Sequence, residues 1–135
     1  MKKALFILLT SIFVAGCAEK AEYEQAVLEQ MKKDQDIKDY KIDPMIMVQC
    51  VVDTSSKKMP GLVAFDPARR ETYINYTKML KLYESNDPKK TLEELRNSFG
   101  SPKDLADAHA NYAESVVECV SSLVAAEEEG MEQPQ

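Results

Sequence analysis

Apolar residues are arranged along this chain in two ways. Residues 4–15, ALFILLTSIFVA, form an almost unbroken apolar run that only Thr10 and Ser11 interrupt. Beyond residue 20 the apolar positions recur every three or four residues, the period of one helix face. Residues 21–38 are predicted to form a first helix with Tyr23, Val27 and Met31 on one face. Residues 44–58 are apolar nearly all round, through Met45, Ile46, Met47, Val48, Cys50, Val51 and Val52. A helix of that kind is expected to be central and buried, although Ile46 and Val51-Val52 also suit a short strand. Residues 67–84 carry the stripe Tyr73, Tyr76, Leu80 and Tyr83, and residues 88–98 put Leu92 and Leu95 on a face with Phe99. Residues 102–126 carry Leu105, His109, Tyr112, Val116, Cys119 or Val120, and Leu123.

The helix starts are marked. Asp43-Pro44, Asp66-Pro67, Asp87-Pro88 and Ser101-Pro102 each place a capping side chain before a proline. The Asp or Ser oxygen can accept from the free N–H groups of the first turn, and proline at the first helical position gives up only an N–H that would be unpaired anyway. Asp104, three residues after Ser101, adds the pattern of a capping box. Pro60-Gly61 and Gly100 are stops. The fold class expected is all-α: a small bundle of four to five helices over residues 21–126, followed by an acidic flexible tail, 127–135.

The apolar run near the start is shorter than the roughly 20 residues that a membrane-spanning helix needs. It follows Met1-Lys2-Lys3 and ends in Val14-Ala15-Gly16-Cys17. A positive start, a short apolar region and small residues make a secretory signal. The tetrapeptide resembles the lipobox of bacterial lipoproteins, in which small residues precede a lipidated cysteine. The resemblance implies cleavage after Gly16, acylation of Cys17 and a short lipidated tether, 17–20. Several acyl chains anchor a protein firmly, at about 0.8 kcal/mol for each buried CH₂. Ala18 stands where lipoproteins retained in the inner membrane tend to have Asp. The resemblance thus places the protein in the cell envelope, at the periplasmic face of the outer membrane.

Loss of the signal removes Lys2 and Lys3 and takes the formal charge from −6 to −8. Such a chain is not drawn to nucleic acid or to anionic headgroups. Lys57-Lys58, Arg69-Arg70 and Lys89-Lys90 are isolated pairs along the sequence. The lipid is therefore expected to be what holds the protein at a membrane.

With Cys17 assigned to lipid, Cys50 and Cys119 remain as an even pair in an oxidising compartment. Both lie on apolar helical stripes, so a structural disulfide is expected. The alternative, a catalytic thiol, wants a base and an electropositive setting that neither position shows.

The sequence offers no catalytic or metal-binding set and implies no cofactor. The single histidine, His109, cannot share a helix face with Asp107, so these two and Asp104 are not read as a metal site. Asp104 is expected to cap, and His109 to sit at the core edge. No nucleophile elbow, phosphate loop or Cys/His cluster is present. The weak candidates for partner contact are Tyr73, Tyr76 and Tyr83, whose rings give large contact area with a polar tip but equally suit a core stripe.

Lipobox, helical domain, an early-helix cysteine and a late-helix cysteine together resemble the layout of type II secretion pilotins. In that family a groove receives an amphipathic helix of a secretin subunit. The resemblance implies a secretin chaperone that binds through the Tyr73/Tyr76 face or the second helix. The broader expectation is a lipid-anchored, non-enzymatic protein that binds or scaffolds another envelope protein. A small envelope hydrolase is the enzymatic alternative, and a surface lipoprotein without a dedicated partner is a third.

Overall fold

The computed structural model of the chain describes residues 15–131. Most of the expected signal segment, the Cys17 side chain and residues 132–135 lie outside that description. The fold is an all-α bundle with no strand among the described residues: α1 (Ala15–Lys33), α2 (Gln35–Asp39), α3 (Pro44–Ser56), α4 (Pro67–Leu80), a 3-10 turn (Leu82–Glu84), α5 (Pro88–Phe99) and α6 (Pro102–Met131). The strand option for residues 46–52 is not taken up.

All four proline-marked starts sit where the sequence places them. Asp43, Asp66 and Asp87 accept from first-turn amides of α3, α4 and α5, and Ser101 Oγ accepts from the Asp104 amide at 3.1 Å. One cap was not anticipated. Asp34 accepts from the amides of Asp36 and Ile37, which divides the expected 21–38 helix into α1 and α2. That break turns Ile37 into the core, where it is 2% exposed. At the other end α6 runs on through Glu127 to Met131, past the expected end at Ala126.

Helix α3 lies between α1 and α6, while α4 packs on α1, and α5 on α4 and α6. Met47, Val48, Val51, Val52 and Ser55 turn inward from α3. Met45 and Ile46 are about half exposed, 52% and 51%, so this helix is buried on one face only and not all round. Facing it from α1 are Tyr23, Val27 and Met31, as the spacing predicts. On α6 the inward face is rotated from the expected one. Leu105, Ala108, Asn111, Tyr112, Ser115 and Cys119 are buried, whereas His109 is exposed. Two polar residues were left off the predicted stripe because apolar periodicity alone does not see a polar side chain that finds partners inside.

The loop between α3 and α4 is closed by one arginine. Arg69, 8% exposed, donates to the carbonyls of Ser56, Met59, Pro60 and Gly61. Carbonyls at the end of α3 have no partner within their own helix, and a guanidinium satisfies several at once. Its carbon also sits 5.9 Å from the centre of the Tyr73 ring. Gly61 is required at this corner: its φ is +83°, and an added Cβ would lie 2.8 Å from the Arg69 backbone nitrogen.

Cys50 and Cys119 form a disulfide that joins α3 to α6, with Cα atoms 5.9 Å apart. It closes a 69-residue separation, for which chain entropy gives about 4 kcal/mol of stabilisation. Reduction, or the double change Cys50→Ala and Cys119→Ala, is expected to lower the denaturation free energy by about that amount. A urea titration with and without reductant measures it.

Candidate functional site

The tyrosine stripe does not stay together. Tyr73 and Tyr76 are 3% and 4% exposed, whereas Tyr83 is 91% exposed. The helix stops at Leu80, and the following 3-10 turn swings Tyr83 away from the face that the 67–84 spacing assigned to it. Tyr73 stacks on Tyr23 at 5.7 Å, and Tyr76 meets Tyr23 and Phe99 edge-on at 5.6 and 5.8 Å. The first two candidates for partner contact are therefore core residues, and a partner cannot rest on their faces. Burial of rings from three helices outweighs any gain from presenting them to solvent.

What Tyr76 does reach is the floor of a cleft. Helices α4 and α6 do not pack directly along their length, and between them lies a hollow of about 580 Å³. Its walls include Pro60, Ala68, Phe99 and Ala108, and its rim carries Lys58, Glu71, Asp104 and Asp107. Asn111 lies at the bottom, 7% exposed. The Asn111 Nδ2 group donates to the Ser55 carbonyl at 3.0 Å and to the Tyr76 hydroxyl at 2.9 Å. Both of its N–H groups are then used, while its Oδ1 is buried without a partner. Tyr76, having accepted from Asn111, keeps its own O–H free to donate. Burial raises the Tyr76 pKa, against a smaller opposing effect of the Asn111 hydrogen bond, so the phenol stays protonated at neutral pH.

Beneath the floor, then, lie one enclosed acceptor without a partner and one hydroxyl hydrogen without an acceptor. That pair suits a group with the reverse order, such as a secondary amide. An acceptor left unmade in a buried site costs on the order of 1–3 kcal/mol, so its presence at the base of a cleft marks a place for a ligand or water. The rim is acidic in balance. Lys58 is bridged to Glu114 at 2.9 Å, which raises its pKa, and Lys103 is likewise held by Asp107. Asp104 accepts from the Ser101 hydroxyl at 2.6 Å, not from a first-turn amide, so it holds the capping serine and does not itself cap the helix. No group of three or more metal-ligating side chains gathers among the described residues.

Asn111 and Arg69 were missed as site and scaffold residues. A signal for Asn111 existed: with Ser115 it is a polar residue at the i, i+4 spacing among the buried positions of α6. Comparison with protein-family models, curated proteins and solved structures finds no match for this chain.

Asn111→Leu removes the donors to the Ser55 carbonyl and to the Tyr76 hydroxyl, leaving the carbonyl with the Lys58 amide alone and the buried hydroxyl without its donor. A loss of about 1–3 kcal/mol is expected, read as a lower urea midpoint with an unchanged slope. A second expectation concerns alkaline pH. Burial raises the pKa of Tyr23, Tyr76 and Tyr112 above the ordinary 10.0. Each is then easier to ionise in the unfolded chain. The contribution of these tyrosines is therefore constant below about pH 10 and falls as pH rises above it, towards the raised values of the folded state. Urea midpoints measured across that range, together with tyrosinate absorbance, check the direction.

Proposed function

We propose that this chain is a lipid-anchored, non-enzymatic protein of the cell envelope that binds a segment of another envelope protein in the α4–α6 cleft. The observation that carries this reading is the unpartnered, enclosed Asn111 Oδ1 beside the free Tyr76 hydroxyl hydrogen, beneath the floor of an open cleft whose side chains would have to shift for a ligand to reach them. A polypeptide segment supplies the matching amide, and the apolar walls give it area to bury. The anchor follows from the lipobox resemblance at Val14-Ala15-Gly16-Cys17, and the Cys50–Cys119 bond suits an oxidising compartment.

The hydroxyls lining the cleft do not favour a hydrolase. Thr72 spends its hydroxyl hydrogen on the Ala68 carbonyl at 2.7 Å. Ser98 lies at the rim, and the cleft lining contains no histidine.

The test places a photo-crosslinking amino acid at Ser98, on the cleft rim, in cells. A single reproducible adduct is expected. Ala68→Trp, an exposed position at the cleft mouth, should abolish it without changing the thermal melt. A crosslinker at Val117, 66% exposed and outside the cleft, should not give it. An adduct that forms equally from Val117, or survives Ala68→Trp, counts against the cleft.

A further inference from the structure

The loop between α3 and α4 carries four consecutive apolar residues, Leu62-Val63-Ala64-Phe65, and exposes three of them. Leu62 is 94% exposed, Phe65 70% and Val63 45%. Such a run on a small protein marks a surface that something covers.

The loop is held in shape. Arg69 binds the carbonyls at its base, the Asp66 amide donates to the Val63 carbonyl at 2.9 Å, and the Leu62 amide donates to Asp66 Oδ2 at 3.4 Å. Little ordering entropy is then lost when the tip meets a partner.

Its position says which partner. Arg70, just beyond the loop, binds Glu19 Oε1 through Nη2 at 2.5 Å and Nε at 3.1 Å. Lys20 shares a hollow with Gly61, Leu62 and Arg69. Cys17 is two residues before Glu19 in α1, about 3 Å along the helix axis. The apolar tip and the expected lipid attachment are therefore at one end of the bundle. The hollow beside the tip is lined by Lys20, Lys57 and Arg69 against Asp53, with Asp66 in the loop itself and Arg70 paired to Glu19, so the charges at this end are close to balanced. This end escapes the net negative charge that would repel anionic headgroups elsewhere on the chain.

We propose that the 62–65 loop inserts into the lipid surface to which Cys17 is tethered, as a second, non-covalent anchor that fixes the orientation of the bundle. This rests on the lipid-anchored reading above. Lipid, not a second protein, is the occupant because the acyl chains on Cys17 would hold this tip at a bilayer permanently.

The chain has no Trp, so Leu62→Trp or Phe65→Trp installs a single fluorophore at the tip. Both positions are exposed, and either variant serves if the other misfolds. The acylated protein is placed in vesicles of phosphatidylethanolamine and phosphatidylglycerol with brominated acyl chains. The tip Trp is expected to shift to shorter wavelength and lose most of its emission, while Val117→Trp does neither. Acylated protein whose tip Trp stays unshifted overturns the insertion alone. A shift without bromine quenching means a protein occupant and also overturns it. Intact mass identifies the other failure: a Cys17 that carries no acyl chains overturns the anchored reading and the inference together.

Discussion

The bundle depends on a buried polar chain that runs through Ser55. The Tyr23 ring is fully enclosed, and its hydroxyl, taken out of water, meets Ser55 Oγ at 2.9 Å. Ser55 Oγ in turn reaches the Val52 carbonyl, its own carbonyl accepts from Asn111, and Asn111 donates onward to Tyr76. One connected set therefore touches α1, α3, α6 and α4. Apolar burial supplies most of the stability, but it is nondirectional and tolerates sliding. Buried hydrogen bonds do not, because a shift of one residue leaves each group unpaired at a cost of about 1–3 kcal/mol. The network sets the register in which the apolar faces meet, and the Cys50–Cys119 bond fixes the same α3–α6 pair covalently.

The cleft is a consequence of that register. Tyr76 and Asn111 are drawn together at the inner edge of α4 and α6, while Phe99, at the end of α5, packs against Tyr76 and lines the cleft. The network ends there with its valence incomplete. Everywhere upstream each donor has an acceptor. Beneath the cleft floor one enclosed acceptor and one hydroxyl hydrogen remain unpaired. A network that served stability alone would be expected to close.

Much of the fold was legible because its signals are local. A capping oxygen followed by proline acts within one turn, so the starts of α3, α4, α5 and α6 could be placed to the residue. Cysteine parity and compartment likewise predicted the 50–119 pairing. The division at Asp34 was missed because the residue is a cap without a proline, inside a pattern that could continue as helix. The inward turn of Tyr73 and Tyr76 was ambiguous in principle: spacing shows that residues share a face, not whether that face is covered. Asn111 and Arg69 escaped for a related reason. Their partners are main-chain carbonyls and a phenol 8 to 56 residues away, and no pattern of side chains records where a carbonyl will point.

Arg69 links the two surfaces proposed as functional. Its guanidinium holds the corner at Pro60 and Gly61, and that corner has two sides. Pro60 and Lys58 form part of the cleft wall, whereas Gly61 and Leu62 lead to the apolar tip. Any force on the tip is transmitted to the cleft edge through a few residues, because the carbonyls on both sides are bound to one rigid planar group. The corner joins the loop tip to the cleft edge, so the two surfaces lie a few residues apart on one turn. One guanidinium thus lets a bundle this small hold an apolar loop and a cleft edge on the two sides of a single corner.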